Sequence, residues 1–215
     1  MFVLKKDWQD FAPDVDMVKI HVTWTPSGEK PNWDQVEETW PLQMVPGTSP
    51  IDRVCGIEIP RQVAESERYD LHYFFVYVQG GRAQVSPTYT EEIASQEITY
   101  EDRSGEHTLV GIRWTVGDWR FTNYTLLELD GLALDLPKYQ NPYTQEIQST
   151  GLEFPRIYEF VKSRPLPHVF RGKVHGPRGS LVHYHFHLLT LGGTAQQDRE
   201  IWDTNNEQNW QVKIA

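Results

Sequence analysis

A short pattern occurs twice in this chain, in the same surroundings each time. Gly80-Gly81-Arg82-Ala83-Gln84 returns as Gly192-Gly193-Thr194-Ala195-Gln196, in both places just after an aromatic run containing His-Tyr. Those runs are Leu71-His72-Tyr73-Phe74-Phe75-Val76-Tyr77-Val78 and Val182-His183-Tyr184-His185-Phe186-His187-Leu188-Leu189. Other landmarks repeat in the same order. Ile20-His21-Val22-Thr23-Trp24-Thr25 matches Val110-Gly111-Ile112-Arg113-Trp114-Thr115, and each is followed by a second tryptophan, Trp33 or Trp119. Gly56-Ile57-Glu58-Ile59-Pro60-Arg61 then matches the segment from Gly172 to Arg178, and Glu97-Ile98-Thr99-Tyr100 matches Asn209-Trp210-Gln211-Val212-Lys213-Ile214 as a closing strand. Shared order over many weak matches indicates an internal duplication.

Such a repeat limits the fold, because each copy must bury its own apolar face. Nearly every apolar run is short and alternates with polar residues, the period of a half-buried strand. Val, Ile, Thr, Tyr, Phe and Trp dominate these runs, and Gly or Pro punctuates them, as in Thr25-Pro26-Ser27-Gly28 and Gly176-Pro177-Arg178-Gly179. The expected fold is all-β: two tandem immunoglobulin-like antiparallel sandwiches arising from the duplication. Residues 1–105 form the first module, with its sandwich at about 15–101, and residues 106–215 form the second. Their join is expected at Glu101-Asp102-Arg103-Ser104-Gly105-Glu106, short enough to pack the modules together. The second copy carries an insertion at about 130–168, with a short helix expected after Pro155. An insertion of that length is either functional or a cap over a sheet edge.

Charge and cysteine content narrow the function classes. The net charge of −10 over 215 residues argues against nucleic acid, whose phosphates require clustered Lys and Arg. The single cysteine, Cys55, excludes an intramolecular disulfide and a Cys-rich zinc site, so it reads as a structural thiol. No window approaches the roughly 20 apolar residues of a membrane helix, and Met1-Phe2-Val3-Leu4-Lys5-Lys6-Asp7 lacks the apolar stretch of a secretory signal. The location expected from this is cytoplasmic, with no membrane partner.

The segment Trp202-Asp203-Thr204-Asn205-Asn206-Glu207-Gln208-Asn209-Trp210 resembles the end of starch- and glycogen-binding carbohydrate modules. In those modules an aromatic, Asp and one or more Asn precede a short gap and an Asn-aromatic pair. The chemistry is that of a tryptophan face stacking on the apolar C–H face of a pyranose while amides bond its hydroxyls. The resemblance implies an α-glucan or other oligosaccharide as partner, with Trp202, Asn205, Asn206 and Asn209 as contacts and Trp210 in the core. A loop aromatic often forms the other half of the sugar clamp in such modules, which adds Trp119, in Gly117-Asp118-Trp119-Arg120. The first copy has Tyr89-Thr90-Glu91-Glu92-Ile93-Ala94-Ser95-Gln96 in the corresponding place, so the ligand is expected on the second module. The Asn run also suits a tight loop, since Asn tolerates the left-handed conformation. Trp24 and Trp114 share one place in both copies and are expected in the core.

His183, His185 and His187 alternate along one strand and project from one face, with successive members about 7 Å apart. Three imidazoles so placed can contribute to a transition-metal site if a neighbouring strand adds a ligand, His168 and His175 being the nearest in sequence. Otherwise they form a solvated or domain-facing surface. In this alignment the first copy keeps only His72, with Phe74 and Val76 beyond it. No Gly-x-Ser-x-Gly elbow, phosphate-binding loop or dinucleotide fingerprint occurs, so no catalytic residue is nominated. Three readings follow: a non-catalytic carbohydrate-binding protein, an accessory subunit whose insertion contacts a protein partner, and a metal-binding protein or metalloenzyme on the His183 face. The first is preferred, with no cofactor.

Overall fold

Alternating burial sets the architecture. The computed structural model describes residues 2–6, 15–31, 33–35, 38–41, 43–44, 53–57, 68–117, 119, 122–130, 161–190 and 199–215. The strands are β1 (Phe2–Lys6), β2 (Val15–Pro26), β3 (Glu38–Pro41), β4 (Gln43–Met44), β5 (Arg53–Ile57), β6 (Arg68–Gln79) and β7 (Arg82–Val85). There follow β8 (Tyr89–Asp102), β9 (Leu109–Val116), β10 (Asn123–Leu129), β11 (His168–Pro177), β12 (Leu181–Thr190), β13 (Arg199–Asp203) and β14 (Trp210–Lys213). Among the described residues, helical backbone is confined to a 3-10 turn at Trp33–Gln35 and to Val161 and Lys162. The chain is therefore all-β and antiparallel throughout its described pairings. Of the expected insertion, residues 131–160 lie outside the described residues, as do Gly192 and Gly193.

The strands form one long hydrogen-bonded path, β13-β12-β9-β10-β11-β8-β6-β2-β3, with β14 added to β12 and β7 to β6, and a separate small sheet β1-β5-β4. Ile20, Val22 and Trp24 on β2 face the core with Leu71, Tyr73 and Phe75 on β6. Val110, Ile112 and Trp114 on β9 do so with Tyr184, Phe186 and Leu188 on β12. Trp24 and Trp114 thus both lie in the core, and each large side chain removed from water contributes about 1.5–3 kcal/mol. The Trp114 indole N–H also donates to Thr125 Oγ1 at 3.0 Å. Gly80 and Gly81 close the β6–β7 hairpin with φ of 56° and 73°, a pair of positive values that a two-residue turn demands.

The longest strand behaves differently from its sequence reading. Residues 89–94 of β8 pair with β6, and residues 93–102 pair with β11, so one strand belongs to both halves of the molecule. Glu101 and Asp102, expected within a polar join, end β8 and pair with Val169 and His168. The turn beyond them is anchored rather than tethered. The Asp102 side chain is buried at 2% exposure and accepts hydrogen bonds from the N–H groups of Ser104, Gly105 and His107. Lys162 Nζ donates to the Gly105 carbonyl at 2.6 Å. Within β8, Tyr100 meets Phe186 of β12 with ring centroids 4.9 Å apart. Gly176 of β11 lies close to Val116 and Ile214, where an added Cβ would stand 3.0 Å from each.

Candidate functional site

The face of β12 opposite the core carries His183, His185 and His187, as their alternation requires. Tyr184, Phe186 and Leu188 point inward and are buried. Strand pairing then decides what each imidazole meets. His183 lies opposite Thr115 of β9 and Gln211 of β14, His185 opposite Arg113 of β9, and His187 between Gly111 of β9 and Trp202 of β13.

His187 sits in a four-membered hydrogen-bonded chain. Its ring and the Trp202 indole are stacked, with centroids 4.2 Å apart and planes inclined by 4°. Glu200 Oε1 receives His187 Nε2 at 3.0 Å and Trp202 Nε1 at 2.9 Å. A carboxylate only accepts, so the proton is on His187 Nε2, and Nδ1 then accepts from Tyr124 Oη at 2.8 Å. Gly111 makes this geometry possible. A Cβ there would collide with the Tyr124 ring, which crosses β9 to reach the imidazole. Burial lowers the His187 pKa, and the neighbouring Glu200 charge only partly offsets it, so the neutral imidazole is the form that holds the chain together. One carboxylate therefore fixes the planes of both rings.

Replacing Glu200 with Gln removes the charge and leaves one neutral amide oxygen to accept from both N–H groups. Were a ligand to stack on these rings, its affinity would be expected to fall about threefold to tenfold in Glu200→Gln, with little loss of melting temperature. Titration calorimetry and thermal unfolding of the same variant check the two halves of that expectation.

His185 has its own aromatic plate. The Trp119 ring lies against it at 4.5 Å with planes inclined by 27°, and the Arg113 guanidinium carbon is 5.9 Å from the Trp119 ring centre. His185 Nε2 hydrogen-bonds Asn209 Oδ1. Asn209 belongs to the turn between β13 and β14, where Asn205, Asn206, Glu207 and Asn209 have φ of 53°, 55°, 67° and 61°. Asp203 Oδ1 accepts from Asn205 N at 3.0 Å, Asn205 Nδ2 donates to the Asn209 carbonyl at 3.3 Å, and Asn209 N donates to the Thr204 carbonyl at 3.0 Å. The Asn-rich run thus has a conformational cause, because Asn adopts the left-handed region more readily than most residues.

Of the residues nominated from sequence, Trp202, Trp119 and Asn209 converge on the His185–His187 face. The Asn205 amide is used inside the turn. Asn206 occupies the same turn, but no side-chain contact places it at the His185–His187 face. The three imidazoles do not assemble as a metal cluster: among the described residues, no three His, Cys, Asp or Glu side chains are grouped to hold an ion. His185 is turned to Asn209 and His187 to Glu200 and Tyr124, which separates them. His175 lies on β11 opposite Ser95, and His168 opposite Asp102. Sequence reading missed Glu200, Tyr124, Gly111 and Arg113. Glu200 was within reach, since it precedes Trp202 by two residues on one strand and shares its face.

Strand register gives a different alignment of the two sequence repeats. Trp24 pairs with Leu71 and Trp114 with Tyr184, so Leu71 corresponds to Tyr184. His72 then corresponds to His185 and Phe74 to His187, two residues away from the match drawn on His-Tyr alone. His72 is buried and bridges Thr25 Oγ1 at 2.8 Å and Thr90 Oγ1 at 2.9 Å. Burial lowers its pKa despite the Asp70 charge, in keeping with a neutral structural imidazole. Tyr89–Gln96, matched by sequence to the Asn-rich turn, is strand instead. Among the described residues, no helix is long and apolar enough to cross a membrane. Comparison of the chain with protein-family models, curated proteins and solved structures finds no match.

Proposed function

We propose that the face built on His185 and His187 binds a carbohydrate, an α-glucan by preference, and that the chain is a non-catalytic binding protein. The observation that carries this reading is the pair of half-buried indoles, Trp119 and Trp202, each laid against an imidazole of one strand two residues apart. Indole faces fixed in orientation match the C–H face of a pyranose, and preorganised plates lose little entropy on binding. Asn209, Glu200 and Arg113 stand beside the rings and supply amide, carboxylate and guanidinium groups for hydroxyls. The resemblance of the Trp202–Trp210 segment to starch- and glycogen-binding modules supplies the α-glucan preference. That reading includes two immunoglobulin-like sandwiches produced by duplication, which the matching registers of Trp24 and Trp114 support.

Isothermal titration with a short malto-oligosaccharide tests the proposal. Saturable heat is expected, together with retardation on an α-glucan resin. No heat and no retardation would overturn carbohydrate binding, and tighter binding of a β-glucan of equal length would overturn the α preference.

A further inference from the structure

A second set of rings lies on the first half of the molecule, where the sequence shows no Asn-rich turn. Phe74 corresponds in register to His187, and its partner on β2 is His21, which stands where β9 has Gly111. The glycine leaves room for Tyr124; in the first half that room is taken by an imidazole. The His21 and Phe74 rings are parallel within 11°, with centroids 5.0 Å apart. Trp33, from the 3-10 turn after β2, meets Phe74 edge-on at 4.8 Å and 76°. The stacked His21–Phe74 pair and the upright Trp33 ring make a three-ring corner.

All three side chains are half-buried, and they lie opposite the core face of the same strands, where Ile20, Val22, Leu71, Tyr73 and Phe75 are buried. Among the described residues, the buried core does not include them. An aromatic corner away from the core is more informative than an isolated exposed ring, because contiguous apolar surface marks a contact site. It offers a pyranose the same stacking chemistry as Trp119 and Trp202. Its polar groups are the imidazole nitrogens and the Trp33 indole N–H, and burial, with the nearby Lys19 charge, keeps the His21 pKa below the usual value. A neutral corner with so few polar groups suits an uncharged sugar and gives few hydroxyl contacts, so such a subsite binds more weakly than the face on the second half.

We propose that His21, Phe74 and Trp33 form a second, weaker sugar subsite, which engages another segment of the glucan bound by the Trp119–Trp202 face. This rests on the carbohydrate reading of that face. Two linked contacts raise the apparent affinity for a polymer more than for a short oligosaccharide, because the second contact is made at high effective concentration.

The test compares the unaltered chain, Trp33→Ala and Trp202→Ala by calorimetry with a short malto-oligosaccharide and by retardation in a soluble α-glucan polymer. Two classes of site are expected in the unaltered chain. Trp33→Ala is expected to remove the weaker class, leave the tighter affinity within about twofold, and weaken polymer binding about tenfold. Trp202→Ala is expected to keep the weaker class. A single class in the unaltered chain, with polymer binding unchanged in Trp33→Ala, overturns the second subsite and leaves the first reading standing. If Trp202→Ala leaves the tighter class intact while Trp33→Ala removes a class, the reading of the Trp202 face fails, and with it the linked pair of contacts, leaving a sugar site at Trp33 alone. Absence of both classes overturns both. Should Trp33→Ala unfold, the site count of the unaltered chain and the variant His21→Ala decide the same question.

Discussion

Trp202→Ala is expected to weaken short-oligosaccharide binding by about 30- to 150-fold, which corresponds to roughly 2–3 kcal/mol. The size follows from position. Trp202 is half-buried on β13, so its removal exposes no core, yet it takes away one of the two plates against which a pyranose would stack. The loss goes beyond area, because the ring is held parallel to His187 by a shared carboxylate and needs no ordering when ligand arrives. Stability is expected to fall by about 1 kcal/mol, the worth of one stacked pair. That contrast separates the binding role from a structural one. If Trp202→Ala lost several kcal/mol of stability and retained its affinity, the indole would be a lid over His187 and the assigned face would be wrong. Trp202→Phe keeps a plate and is expected to recover part of the affinity, though it cannot donate to Glu200.

The second large effect concerns stability. Asp102→Ala is expected to cost about 3 kcal/mol, measured as a shift in urea unfolding. Its carboxylate accepts from Ser104 N at 3.0 Å, Ser104 Oγ at 2.6 Å, Gly105 N at 3.1 Å and His107 N at 2.9 Å. Alanine would leave the buried Gly105 N–H and the part-buried His107 N–H without this acceptor, while the Ser104 groups stand at an exposed residue. Burial works against the Asp102 charge, but the bonds from Ser104, His107 and Gly105, with the His107 charge, outweigh it and hold the pKa below the usual 3.8. The sign follows. As pH falls through 3.8 the unfolded carboxyl takes up a proton before the folded one, so stability is present above that value and lost below it. Asp102→Ala is expected to flatten this acid limb. His175 acts in an adjacent window: burial, with the Lys173 charge, lowers its pKa to about 4, so its contribution declines as pH drops from 6.5 toward 4. Unfolding curves at pH 7, 5 and 3 for both proteins distinguish the two groups.

Much of this was legible in residue patterns, because alternation acts locally. The all-β class, Trp24 and Trp114 in the core, and the common face of His183, His185 and His187 all follow from a period of two, and the Gly80-Gly81 turn from the positive φ that glycine allows. What failed was register. A His-Tyr match aligned His72 with His183, whereas the strand ladders pair it with Thr23, opposite in the way His185 is to Arg113. Registers depend on partners far along the chain, and a slip of two residues keeps every side chain on its original face, so the hydrophobic pattern cannot detect it. Glu200 and Tyr124 escaped for a related reason: their importance comes from cross-strand contact with His187. The Asn-rich turn carried two signals at once, a sugar-module resemblance and a left-handed backbone, and only the second has a geometric cause in the structure.

The double pairing of β8 bears on how the two halves can be separated. An excised second half that began at residue 106 would leave β11 from His168 to Pro177 without its β8 partner, and a first half ending at 105 would carry the free edge of residues 95–102. Each fragment would present a row of unsatisfied backbone donors and acceptors, the template that drives strand-to-strand aggregation. The ladders on its two sides make β8 common property of both halves, so a cut in the chain after this strand strips pairing from each of them.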